Sequence, residues 1–326
     1  MSTPHVSILL VTFNQRDTIA RALDSILNQR CNFNFEIIVG DDCSTDGTRQ
    51  ICEPYSRCHP DIVRLLPRTE NVGVVENYFR CFNASRGQFI ADCAGDDCWG
   101  DPHRMQLQHD YLLANPQCVA VMSDWSIHNP DGSIELSSAQ SRFAYMRKSL
   151  SGNEMLHRVL GSQGSFPLLS AMMYRRSALQ AVYGAAPRMV CRPDWRCEDI
   201  PVLAALSSVG SFGYVSCNAY CYNASCGSVS RQVNPARQFN FYAGPARAVA
   251  ELIPFYGVNP VNLRTALDNR IKYLAWLAWK SADKQCELIL NQICGQWPLR
   301  LPLSVSLRRV VMPFHRLLRR ATGGAG

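Results

Sequence analysis

The chain has 326 residues, 47% hydrophobic and only 18% charged, with a formal net charge of +7. That length suits one large or two fused domains, and the composition excludes wholesale disorder and a core too small to fold alone. No apolar stretch reaches the roughly 18 residues a membrane-spanning helix requires, and the polar start Met1–His5, with only a short apolar run behind it, does not resemble a secretion signal, so a cytoplasmic protein is expected.

In chain order, Val6–Phe13 is a continuous β-rich apolar run, the mark of a strand covered on both faces. Residues Thr18–Gln29 carry Ile19, Leu23, Ile26 and Leu27 at helical spacing. Phe35–Val39 is a second buried strand, ending at Gly40-Asp41-Asp42, and Ser44–Gly47 supplies turn and cap chemistry before a helix over 48–58. Val63–Leu66 is a third strand, Asn71-Val72-Gly73 a break, and Val75–Ala84 a helix. Phe89–Cys93 is a fourth strand that ends at Gly95-Asp96-Asp97, followed by a helix over Pro102–Ala114 and a strand over Cys118–Ser123. This alternation predicts an α/β fold of right-handed βαβ units around a mostly parallel sheet.

From Ser126 to Ser149 the pattern weakens into a variable loop region. Beyond it the sequence predicts a helix over 153–160, a strand over 168–174, a helix over 200–207 opened by Glu198-Asp199 with Pro201 in its first turn, and short strands over 213–215 and 219–222. After Pro235 the chain reads as helical, most clearly over 239–252 and 263–280. The expected organisation is therefore a catalytic domain over 1–234, with a nucleotide-side half over about 1–125 and an acceptor-side half over about 126–234, and a helical region over 235–326 ending in a basic amphipathic tail. That tail carries Arg300, Arg308, Arg309, Arg316, Arg319 and Arg320 with no acid, a pattern suited to peripheral contact with anionic lipid on the inner face of a membrane.

Ligands of parallel sheets bind beyond the carboxyl ends of the strands, and the acidic groups fall there. Adjacent carboxylates at Asp96-Asp97 repel unless a cation relieves them, and Mg²⁺ or Mn²⁺ takes oxygen ligands and bridges to phosphates. Asp42 can accept from a base edge, with Thr12 and Asn14 beside it, while Asp41 or Ser44 holds the loop that follows. Asp199 at a helix start can be kept ionised by the helix dipole and take a proton from a hydroxyl. Arg231, ending the small polar loop Gly227–Arg231, can pair a departing diphosphate. Trp99, Trp125 and Trp195 can stack on a sugar face, although core burial is the commoner fate of tryptophan. The fifteen cysteines are scattered without a C-x-x-C pair and are expected as free, mostly buried thiols. Only four lysines occur, so the positive charge is nearly all arginine, which suits phosphate recognition. No nucleic-acid partner is expected.

The segments VSILLVTFNQRDTIARALDSILNQ, FEIIVGDDCSTDGT and ENVGVVENYFRCFNASRGQFIADCAGDDCW resemble the inverting family 2 glycosyltransferases of the GT-A fold, as do Leu168–Arg176 and Glu198-Asp199. The resemblance runs unbroken over about Val6–Arg104. It implies a nucleotide-sugar donor, most simply a UDP-sugar, bordered by Thr12, Asn14 and Asp42, with Asn71 and Gly73 shaping the adjacent loop. It further implies Asp96 at the ribose or a metal-bound water, Asp97 as metal ligand, and Asp199 as catalytic base beside Glu198. The acceptor would be a hydroxyl of a glycan or lipid-linked sugar of a bacterial surface polysaccharide. Two departures stand out: Ala94 occupies the position of a further aspartate common in the family, and no histidine lies between His157 and His315 to serve as a late metal ligand. A sugar-nucleotide nucleotidyltransferase is the rival enzyme, but Thr12–Arg16 lacks the glycine-rich triphosphate loop it needs. A non-catalytic nucleotide-sugar-binding module is the other alternative.

Overall fold

The computed structural model describes residues 3–67, 70–137, 141–161, 168–224, 233–306, 308–309 and 312. Its first half follows the predicted alternation: β1 (Val6–Thr12), α1 (Ile19–Leu27), β2 (Phe35–Asp41), α2 (Thr48–Cys58), β3 (Val63–Leu65), α3 (Val74–Ala84) and β4 (Phe89–Ala94). A two-residue strand β5 (Cys98–Trp99), α4 (Arg104–Ala114) and the long strand β6 (Cys118–His128) follow. The second half contains β7 (Ile134–Leu136), α5 (Gly152–Gly161), β8 (Met173–Arg175), α6 (Arg176–Ala185), α7 (Asp199–Ser207) and β9 (Ser211–Asn223), then the helices α8 (Pro235–Phe255), α9 (Arg264–Ser281) and α10 (Lys284–Gln296).

The strands form one sheet in the order β3-β2-β1-β4-β8-β6-β9-β5, with β7 beside β6. β3, β2, β1 and β4 are parallel neighbours, and β6 is parallel to β9; β8 runs antiparallel between β4 and β6, and β5 antiparallel to β9. Register aligns the strand ends: Val6 lies opposite both Phe35 and Phe89, while Thr12 faces Asp41 and Val11 faces Ala94. The carboxyl ends of β1, β2 and β4 therefore make one edge. The small two-residue β5 folds back from the end of β4 onto β9, so the far strand of the sheet curls back toward that edge.

Three predicted segments differ, each for a reason of packing. The weak stretch after Ser126 is partly sheet: β6 continues to His128 because Ser126, Ile127 and His128 pair with Cys221, Tyr222 and Asn223 of β9. The two short strands over 213–215 and 219–222 are one strand, with the polar break at Ser216–Asn218 absorbed as register irregularities against β6. The apolar run over 168–174 splits into a 3₁₀ turn (Leu169–Ala171) and β8. Helix α6 packs Ala178, Leu179, Val182 and Tyr183 on the core, with only Leu179 fully buried, and it starts directly from β8 without a side-chain cap.

The C-terminal helices are joined to the α/β body by one continuous apolar core that runs from β1 to α10. α8 lies over α7 and over the 3₁₀ turn Pro193–Trp195, where Gly244 approaches so closely that a Cβ there would sit 1.8 Å from the Trp195 carbonyl oxygen. Of the basic tail, Val305 and Met312 are buried and the Arg309 Nε donates to Asn291 Oδ1 of α10 at 2.7 Å. Arg316, Arg319 and Arg320 lie outside the described residues.

Candidate functional site

At the shared edge, the backbone after β1 is tied to the loop after β2. The Asp42 amide donates to the Thr12 carbonyl at 2.9 Å, and the Asn14 amide donates to Ser44 Oγ at 2.9 Å. Asn14 adopts φ of 53°, a left-handed conformation asparagine tolerates, and its Oδ1 accepts from the Thr45 amide at 2.8 Å. Thr12 is buried and its hydroxyl donates to Gln15 Oε1 at 2.8 Å. Gly95 lies against this corner; a Cβ there would fall 2.5 Å from both Thr12 Oγ1 and Gln15 Oε1.

Asp42 has a second occupation. Its carboxylate accepts from the amides of Val72 and Gly73, each at 2.8 Å, and Asn71 Nδ2 donates to its carbonyl at 2.9 Å. The Asn71–Gly73 segment thus closes on Asp42. The loop-holding role read onto Asp41 or Ser44 is shared: Asp41 Oδ1 accepts from the Ser44 amide, and Asp42 holds the neighbouring loop. Each carboxylate oxygen has two lone pairs, so Asp42 keeps acceptor capacity toward a base edge. The nearby Asp46 is a structural tie, its carboxylate accepting from Thr48 and from the Arg16 amide.

Asp97 is 3% exposed and reached from the far side of the sheet: Tyr220 Oη donates to Oδ2 at 2.7 Å and the Asn223 amide to Oδ1 at 2.6 Å. Burial, then the neighbouring Asp96 charge, pushes its carboxyl up from the ordinary range. Asp96 is also raised by burial, against the pull of Arg21, whose guanidinium donates to the Asp96 carbonyl, and of a hydrogen bond from Gln15. A buried carboxylate pair with this excess of negative charge suits a hard divalent cation. Among the described residues no group of three or more acidic, histidine or cysteine side chains gathers around a common point. Asp96 and Asp97 are the side chains that would hold such an ion here, its other positions falling to a diphosphate and water.

Glu198 precedes α7 and Asp199 is its first residue. The helix buries every residue from Ile200 to Ser207, which holds its amino end rigidly. Burial raises the Asp199 carboxyl above its ordinary range, and Glu198 is raised by burial and then by Asp199. Asp92, a 7%-exposed carboxyl inside the apolar strand β4, is pushed far up by burial and then by the charges of Asp199 and Glu198. Asp92 in turn meets the Tyr78 hydroxyl, which shares a short hydrogen bond with Tyr174.

Sequence reasoning passed over Asp92, Arg21, Tyr220 and Asn223. Asp92 had a signal, a carboxylate within a buried strand; the others act through contacts 75 to 126 positions apart that no local pattern shows. Phe13, 47% exposed just past β1, was also missed. Trp99, Trp125 and Trp195 are all buried in the core and do not present a sugar platform. Arg231 lies outside the described residues. An open cavity of about 700 Å³ lies apart from these carboxylates, walled by α5 and the start of α9.

Residues 7–183 match the family model described as glycosyl transferase family 2, more than half of the chain. The chain belongs to glycosyl transferase family 2. Among curated proteins, it is 32% identical over 192 residues to the uncharacterized protein Rv1520 of Mycobacterium tuberculosis, covering 58% of this chain and 51% of that protein. It is 26% identical over 157 residues to the putative teichuronic acid biosynthesis glycosyltransferase TuaG of Bacillus subtilis, covering 48% of this chain and 59% of that one. The chain thus spans about half the length of the curated relatives it matches. Two solved structures share the architecture of this family 2 member: S. aureus TarS 1–349 with UDP (TM-score 0.58, 15% identity, 96% of this chain and 91% of that one) and the mannosyltransferase PcManGT of Pyrobaculum calidifontis with GDP-Man and Mn²⁺ (TM-score 0.52, 15% identity, 100% and 89%). The fold is therefore GT-A.

Proposed function

We propose that this family 2 member transfers a sugar from a nucleotide-diphospho-sugar, most simply a UDP-sugar, to a hydroxyl of a glycan or lipid-linked acceptor, with inversion, during synthesis of a bacterial surface polysaccharide. The observation that carries the reading is the edge itself: Thr12, Asp42, Asp96 and Asp97 lie at adjoining strand ends, and the charges of Glu198 and Asp199 are felt by Asp92 of the same strand β4. The TuaG likeness favours a cell-envelope polymer, and the UDP-bound neighbour favours a uridine donor.

In this reading Asp42 accepts from the base and the exposed Phe13 ring lies beside it, while Thr12 and Asn14 set the corner and Asn71 and Gly73 close it. Asp96 and Asp97 would hold Mg²⁺ or Mn²⁺, which supplies positive charge to the departing diphosphate; a Mn²⁺-bound neighbour supports that choice. Arg231 remains the candidate for further contact with the diphosphate. Asp199 takes the proton of the acceptor hydroxyl as that oxygen attacks the anomeric carbon, and the nucleoside diphosphate leaves from the opposite face. Glu198, whose carboxyl is also raised, stays protonated beside it and leaves the negative charge on Asp199. One displacement gives a β-linked product from an α-linked donor. The helical region over 235–326 and its basic tail are proposed as the part that brings the enzyme to a membrane-borne acceptor.

The test is a panel of nucleotide sugars incubated with the full-length protein and Mn²⁺, followed by mass analysis of the nucleotide released. Free nucleoside diphosphate from one donor is expected. Release of pyrophosphate, or of nothing from any donor, would contradict the reading.

A further inference from the structure

A row of three side chains crosses neighbouring strands beside the donor edge. β6 and β9 place Ser126 opposite Cys221, and β9 and β5 place Cys221 opposite Cys98. Directly opposed residues lie on one face of a sheet, so Cys221 has a thiol on one flank and a hydroxyl on the other. The Cys98 and Cys221 side chains are hydrogen-bonded to each other, and Cys221 is also bonded to Ser126 and His128, whose ring lies 3.0 Å from Ser126 Oγ. Opposed residues of antiparallel strands keep their Cα atoms about 4.5–5.5 Å apart, within the range of roughly 4.4–6.8 Å that a disulfide spans. Cys98 is partly exposed and Cys221 is 8% exposed, so the pair sits at an accessible rim.

We propose that Cys98 and Cys221 form a thiol–disulfide modification site whose co-substrate is a low-molecular-weight disulfide. The Cys221 thiolate attacks one sulfur of that disulfide, breaking its S–S bond and expelling one thiolate. The Cys98 sulfur then attacks the Cys221 sulfur of the mixed disulfide and expels the second. The two protein thiols lose two electrons and two protons, and the co-substrate becomes two thiols. Ser126 and His128 flank Cys221 on the side away from Cys98 and offer polar partners to its sulfur.

The position gives the bond its consequence. Cys98 directly follows Asp97, and β9 supplies Tyr220 and Asn223 to the Asp97 carboxylate. A Cys98–Cys221 link joins the two strands between which that carboxylate is held. This inference goes beyond sugar transfer and does not depend on it, because the linkage is read without turnover.

The reduced full-length protein is equilibrated with glutathione disulfide, acid-quenched, alkylated and digested for mass mapping, with hydrogen exchange on the same samples. Expected are a peptide pair joined through Cys98 and Cys221, lost in Cys98→Ser and in Cys221→Ser, and at least about threefold slower amide exchange over residues 96–101 and 217–223, reversed by dithiothreitol. Circular dichroism establishes that both variants are folded. Glutathionylation without a Cys98–Cys221 link, or a link that leaves exchange in both segments unchanged, would overturn the proposal.

Discussion

At the scale of single residues, the chemistry turns on carboxyls whose burial costs are not fully offset. Asp199 is raised by desolvation, and in the proposed mechanism it acts only when ionised. The rate should therefore rise with pH along a limb above the ordinary carboxylate range near 4, and a kcat/KM profile across pH 4–8 checks this. Asp199→Asn should lower kcat by roughly 10²–10⁴-fold, the usual share of a general base, with nucleotide affinity unchanged by calorimetry; wild-type turnover in this variant would remove Asp199 from the role. Asp97 differs in kind, since its two hydrogen-bond donors hold it in place while burial and Asp96 still disfavour its charge.

At the scale of elements, one buried side chain joins three of them. Arg104 of α4 is fully buried; its guanidinium donates to the carbonyls of Ala219 on β9 and of Ser170 and Met172 around the 3₁₀ turn, and lies 4.1 Å from the centre of the Trp99 ring. Arg104→Ala strands these acceptors, and at about 1–3 kcal/mol for an orphaned buried group it should cost on the order of 3 kcal/mol in denaturant unfolding. Because β9 carries Tyr220, the same variant should weaken Mn²⁺ binding. The first four parallel strands and their helices were legible because continuous apolar runs and apolar residues at helical spacing are local patterns. β9 was read as two pieces because Ser216–Asn218 looks like a turn, and only pairing with β6 reveals one strand. In the same way Asp42, Asp97 and Asp199 could be named from strand-end and helix-start positions. Tyr220 and Asn223 required the curl of the sheet to be seen, whereas Asp92 was marked by its place inside an apolar run.

At the scale of the whole molecule, the C-terminal helices and the α/β body share one core, and Gly244 is a point where they pack tightly. Gly244→Ala would drive a methyl into the Trp195 backbone. It should destabilise the protein by about 3 kcal/mol, toward the upper end of overpacking costs, in a single transition followed by near-UV and far-UV dichroism. Two separate transitions would show that the helices fold independently. Asp92, Asp97 and Asp199 all bind protons more tightly folded than unfolded, since their carboxyls are raised. Stability should therefore fall as pH rises from the ordinary carboxylate range through the raised values. Added Mn²⁺ should reverse the part of this loss that belongs to Asp97, as thermal melts at pH 5 and pH 8 with and without the ion would show.

The central claim is that Asp97, brought to the carboxyl edge of the sheet, holds a divalent ion against a nucleoside diphosphate. Electron paramagnetic resonance of Mn²⁺ titrated into the full-length protein with UDP tests it most directly. One bound ion is expected in the wild type and in Asp199→Asn, with at least tenfold weaker binding in Asp97→Asn. Equal Mn²⁺ binding by wild type and Asp97→Asn would contradict the account.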